Sequence, residues 1–122
     1  MSLVVDGSEL GGGQLVSYCW SSSIATACAD GDRRDPQTYV VHSSRPIDVQ
    51  VRTKPGIREL HVGVTDMNPR DVPPGASTPP APVDPARATP LTLGVGIHYI
   101  GVTARWERGD AYFLFALRVE PR

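Results

Sequence analysis

A chain of 122 residues holds one domain and is too short for two ordinary ones, and a composition that is 40% hydrophobic and 20% charged can form a core. A formal net charge of −1 with no basic stripe argues against a nucleic-acid surface, and no apolar run is long enough to span a bilayer. Twelve Pro and twelve Gly call for turns and loops, and no ten-residue segment carries a clean 3.6-residue apolar period.

Met1-Ser2-Leu3 is followed by no charged and then apolar leader, so the chain shows no signal peptide; an export signal would belong to a longer precursor. Ser2–Val5 is expected to be a short edge strand, ended by Asp6-Gly7-Ser8. After Gly11-Gly12-Gly13, the run Gln14–Trp20 favours a strand. Its two faces are Leu15, Ser17, Cys19 and Val16, Tyr18, Trp20. The second is expected to face the core, with Trp20 as anchor.

Cys19 and Cys28 do not have a zinc spacing, and no second Cys or His pair stands near them. Their separation suits a local disulfide, worth about 2.5–3 kcal/mol in the chain-entropy model. That bond implies an oxidising, extracytoplasmic compartment, secreted or envelope-anchored. The alternative is two buried reduced thiols acting as small apolar groups. Ser21–Pro36 reads as a loop, and Gln37–His42 returns to strand character with Tyr39 and Val41 on one face.

Ile47, Val49 and Val51 alternate with Asp48, Gln50 and Arg52, and Leu60, Val62 and Val64 alternate likewise. Lys54-Pro55-Gly56-Ile57 fits a type II turn, which pairs Val51 with Leu60, Val49 with Val62 and Ile47 with Val64 in a hairpin. Asn68–Pro90 then holds eight of the twelve prolines. That composition gives an extended surface loop, either a crossing between sheets or a partner-binding segment.

The stretch Ile97–Val119 forms a second hairpin, with Gly109-Asp110 as its two-residue turn. That turn pairs Ile100 with Val119, Val102 with Leu117, Ala104 with Phe115 and Trp106 with Phe113, all on one core-facing side. Tyr112, Leu114 and Ala116 make the other side partly apolar, ready for cover by the Pro-rich loop or a partner.

Six or seven short alternating strands imply an all-β, Ig-like antiparallel sandwich, one domain over 1–122 with a long Pro-rich crossover at 68–90. The segments Ser17-Tyr18-Cys19-Trp20-Ser21, Cys28-Ala29-Asp30-Gly31, Ala104-Arg105-Trp106 and Gly109-Asp110-Ala111-Tyr112-Phe113 resemble small sandwich domains of bacterial exported proteins and lipoproteins. Tyr99, after Gly94 and Gly96, looks like the tyrosine corner of Ig-like sandwiches. The resemblance implies an exported sandwich and carries over no catalytic residue.

No nucleophile elbow occurs, since Gly7-Ser8-Glu9-Leu10-Gly11 has its serine one place early. His42, His61 and His98 are scattered without ligand spacing. Asp30, Asp32 and Asp35 resemble part of a calcium loop, but Arg34, Asp35 and Val41 stand where that loop needs a ligand, a glycine and a glutamate. Arg108-Gly109-Asp110 matches the tripeptide that integrins read, although Gly and Asp there also serve a turn. The reading is a non-catalytic module without cofactor or metal. It contacts an unknown protein or ligand through the end bearing Trp20, Arg33 and Arg34, through Tyr112 and Leu114, or through Pro73, Pro74, Pro79 and Pro80. Edge pairing into a larger assembly, or a small enzyme built from distant His and Asp residues, are the alternatives.

Overall fold

The computed structural model describes residues 1–21, 25–30, 36–53, 56–68, 81–83 and 91–122. Among these are eleven strands: β1 Ser2–Val5, β2 Ser8–Gly12, β3 Gln14–Ser21, β4 Thr26–Asp30, β5 Thr38–His42, β6 Ile47–Arg52, β7 Glu59–Thr65, β8 Ala81–Val83, β9 Leu91–Leu93, β10 Gly96–Trp106 and β11 Gly109–Glu120. They build a four-stranded sheet, β2-β1-β6-β9, and a seven-stranded sheet, β4-β3-β11-β10-β7-β8, with β5 beside the second half of β11. All pairings are antiparallel except β5 with β11, which is parallel.

Alternation along the strands makes the core. Leu3, Val5, Ile47, Val49 and Leu93 of the small sheet pack against Leu60, Ile100, Val102, Ala104, Phe115, Leu117 and Val119 of the large one. Trp106, Phe113, Val62 and Val64 are partly buried at its margins. This is the layer structure that two one-sided apolar sheets must adopt to bury those sides.

Several expectations need correction. Ser2–Val5 is no edge: β1 lies between β2 and β6. It is joined to β2 by Asp6-Gly7, whose φ angles of 47° and 85° are those of a type I′ hairpin turn. Asp6 N–H donates to the Asp48 carbonyl (2.9 Å), and Asp48 N–H donates to Asp6 Oδ1 (3.0 Å), which ties that turn to β6.

The hairpin expected around Lys54-Pro55-Gly56-Ile57 does not form. β6 pairs with β1 and β9 in the small sheet, whereas β7 pairs with β10 and β8 in the large one. The matching apolar rows face each other across the core instead of lying side by side. Alternation is satisfied equally by either arrangement.

The C-terminal hairpin exists in another register. Ile100 pairs with Phe115, Val102 with Phe113, Ala104 with Ala111 and Trp106 with Gly109, so Glu107-Arg108 is the turn. Each expected partner is displaced by four residues. An even displacement leaves every side chain on its expected face, so the inward row survived the error. Within the Pro-rich stretch, Ala81–Val83 is a strand on β7, and the Ser21–Pro36 segment contains β4. Pro73, Pro74, Pro79 and Pro80, like Arg33, Arg34, Asp32 and Asp35, lie outside the described residues. Tyr99 is the fourth residue of the eleven-residue β10, near the start of the penultimate strand as expected, and is level with Thr65 and Ala116.

Candidate contact surface at the disulfide ribbon

β3 and β4 form a two-stranded ribbon on the flank of the large sheet, and Cys19 lies directly opposite Cys28. The two cysteines are disulfide-bonded with their Cα atoms 4.0 Å apart. The bond therefore crosses between paired strands and braces them. The expected reduced-thiol alternative does not hold.

A bulge in β3 at Val16 sets the faces: Leu15 is level with Phe113, Ser17 with Tyr112, Tyr18 with Ala111 and Trp20 with Gly109. Because Phe113 and Ala111 share the inward row of β11, Tyr18 and Trp20 point to the sandwich side of the sheet, as expected. They are nevertheless not core. Trp20 is 53% exposed and Tyr18 40%. The inner face of the seven-stranded sheet extends past the area that the four-stranded sheet covers, and the ribbon occupies that overhang.

Trp20 is held there by backbone contact. A Cβ on Gly109 would run into the Cys19 carbonyl and would stand 2.6 Å from Trp20 Cε3. The indole thus lies against the bare Gly109 backbone, with part of its surface left to solvent. Glycine is required at this position for close approach, since Gly109 is not among the positive-φ residues. The same device recurs at Gly101 under Tyr112, Gly13 under Phe115 and Gly11 under Tyr39, whose hydroxyl donates to the Gly12 carbonyl (2.8 Å). Beside Trp20 and Tyr18 lie Ala27 and Ala29 of β4, both exposed. An aromatic pair flanked by small residues forms a shallow apolar face.

The opposite face of the large sheet differs. Leu114 is 1% exposed and Ala116 1%, so Leu114 is not an accessible contact residue as the sequence suggested. Tyr112 is half-buried over Gly101, and burial pushes its hydroxyl pKa above the ordinary value of 10.0.

Arg108 occupies the hairpin turn, while Gly109 and Asp110 belong to β11 and are paired on both sides, with Trp106 and Arg105 and with Trp20 and Cys19. The tripeptide is therefore split between turn and central strand and is no free loop. That corrects its expected place at the tip.

The histidines are not brought together. His61 is level with Thr103 on the outer face of β10, whereas His98 is on the same face as Ile100 and opposite Leu117. Five residues of strand and the sheet itself separate them, about 17 Å along β10. His98 Nε2 lies 2.8 Å from the Gly94 carbonyl, and His42 Nδ1 is 3.7 Å from Glu120 on the exposed end of β5. Among the described residues, no group of three His, Cys, Asp or Glu could hold a metal ion, and no helix is long and apolar enough to cross a membrane.

Neither the family models nor the curated proteins nor the solved structures give a match to this chain. The fold and the surface chemistry carry the functional reading by themselves.

Sequence reasoning singled out Trp20 as a candidate contact residue and left out Tyr18, the second exposed aromatic beside it. The signal was present: both lie at i, i+2 on one face, on either side of Cys19, whose bond partner had to be close.

Proposed function

We propose that the chain is a non-catalytic, extracytoplasmic β-sandwich module of broadly Ig-like architecture. It acts by contact, through the Trp20–Tyr18 face of its disulfide ribbon. The observation that carries this is Trp20 itself, half exposed on a backbone shaped to receive it. Burying a side chain of this size is worth roughly 1.5–3 kcal/mol, so an indole left in water is a standing gain for any partner that covers it. Tryptophan and tyrosine are also the residues that dominate binding energy at interfaces, and few torsions need be frozen when they are held in advance.

The disulfide supports an oxidising compartment, because such bonds persist outside reducing cytoplasm. Two packed sheets support the Ig-like architecture. The parallel β5–β11 pairing is an addition to that plan.

The test compares the wild type with a Trp20→Ser, Tyr18→Ser variant, immobilised and exposed to envelope and extracellular fractions of the source organism. Expected is a retained partner that the variant releases while keeping the wild-type melting curve. Equal retention by both proteins would refute the assignment of this face, and turnover of a hydrolase substrate panel by the pure wild type would refute a non-catalytic role.

A further inference from the structure

The ribbon that presents Trp20 also ends the large sheet. Among the described residues β4 pairs only with β3, leaving its outer side as an edge. Which backbone groups point outward follows from hydrogen bonding on the other side of β3. Ser21 N–H donates to the Arg108 carbonyl (2.5 Å), so Ser21 and, two residues back, Cys19 direct their main-chain groups toward β11 and away from β4. Ser21–Thr26 and Cys19–Cys28 are therefore the narrow, non-hydrogen-bonded pairs of the ribbon, as the 4.0 Å Cα separation of the cysteines requires. Thr26, Cys28 and Asp30 consequently aim N–H and C=O at the open edge, while Ala27 and Ala29 spend theirs on β3.

The other free edges among the described residues are short, interrupted or partly occupied. β8 and β9 are three residues long, and β8 has Pro82 at its centre. β2 carries a bulge at Leu10 and ends in Gly11-Gly12. On β5, the His42 carbonyl accepts from Arg122 Nε (3.2 Å). β4, reading Thr-Ala-Cys-Ala-Asp, carries no proline, lysine or bulge of the kind that protects edges from pairing.

We propose that β4 is a homodimerisation edge, pairing antiparallel with β4 of a second copy about a two-fold axis at Cys28. In that register Cys28 exchanges both main-chain hydrogen bonds with its own mate, and Thr26 does so with Asp30 of the other copy. Those three residues are the ones whose groups point outward. The alternate positions bring Ala27 beside Ala29 of the mate, so only methyl groups meet on the sandwich side and no like charges fall opposite one another. This self-complementarity selects a second copy over a foreign peptide: an isologous contact needs one patch that matches itself. Pairing joins the two large sheets into one and sets two Trp20–Tyr18 faces on the same surface. The inference goes beyond the proposed function and does not depend on it, since a monomer would still present Trp20.

The test is sedimentation of the intact oxidised chain over a wide concentration range, with amide exchange read at β4. Expected is a reversible species of twice the 13.1 kDa chain mass. The N–H groups of Thr26, Cys28 and Asp30 slow their exchange as the dimer forms, while those of Ala27 and Ala29 are protected at every concentration. Thr26→Pro removes an outward N–H without breaking a ribbon hydrogen bond, and Ala27→Lys sets a charge beside the axis; each raises the dissociation constant about tenfold or more. A wild type that stays monomeric, including one that recruits only foreign extended segments, overturns the proposal. So does a dimer that survives both variants. If either variant fails to fold by circular dichroism, the wild-type exchange pattern decides alone, and concentration-independent exchange at Cys28 overturns the proposal.

Discussion

Replacing Gly109 by alanine tests the account of the Trp20 site most directly. The added Cβ would meet the Cys19 carbonyl, Trp20 Cε3 at 2.6 Å and Trp20 Cα at 3.3 Å. Two of these three atoms are backbone, in a strand paired on both sides and crossed by a disulfide, so they yield poorly. Overpacking of this kind costs about 1–3 kcal/mol, and the upper half applies here. Alanine returns about 0.4–1 kcal/mol by restricting the unfolded chain. The net loss is about 2 kcal/mol, or a fall in Tm of about 6–10 °C for a domain of this size. Gly94→Ala is the control: nothing stands within 4 Å of its Cβ and its φ is not positive, so it gains the entropy term alone. Gly109→Asn separates close approach from turn chemistry, because asparagine tolerates the left-handed region of a turn yet is larger than alanine. Urea titrations of the three variants, with unchanged m-values, measure the differences. Gly109→Ala matching Gly94→Ala within about 0.5 kcal/mol, or Gly109→Asn outperforming Gly109→Ala, would refute the packing argument.

Two further outcomes follow from the ribbon and from the opposite face. With Cys19 and Cys28 nine positions apart in sequence, the double variant Cys19→Ser, Cys28→Ser is expected to lose about 2.6 kcal/mol in the chain-entropy model, read by urea denaturation without reductant. Burial raises the Tyr112 hydroxyl pKa, so in the window between its unfolded and folded values the native state holds more protons than the unfolded one. Stability is therefore full below about pH 10 and falls as pH rises through the folded value. Tyr112→Phe flattens that alkaline limb in pH-dependent unfolding, and an unchanged limb would contradict the assignment.

The sequence by itself determined which side is apolar in the strands whose alternation is clear. Ile100, Val102, Ala104, Phe115, Leu117 and Val119 are buried because alternation at a period of two is a local property, insensitive to which strand lies alongside. It also brought Cys19 and Cys28 together, since so short a separation allows few geometries that keep them apart. Tertiary structure decided the rest. Whether Ile47–Arg52 and Glu59–Thr65 lie side by side or face to face depends on nonlocal pairing with β1 and β10, and the apolar pattern reads the same in both. The turn at Glu107-Arg108 leaves Gly109 in the strand under Trp20, a contact from a strand nearly ninety residues earlier that local sequence does not show. Trp20 faces inward as its alternation requires, yet it is exposed because one sheet has seven strands and the other four. Facing is fixed along the chain; covering depends on what the opposite layer reaches.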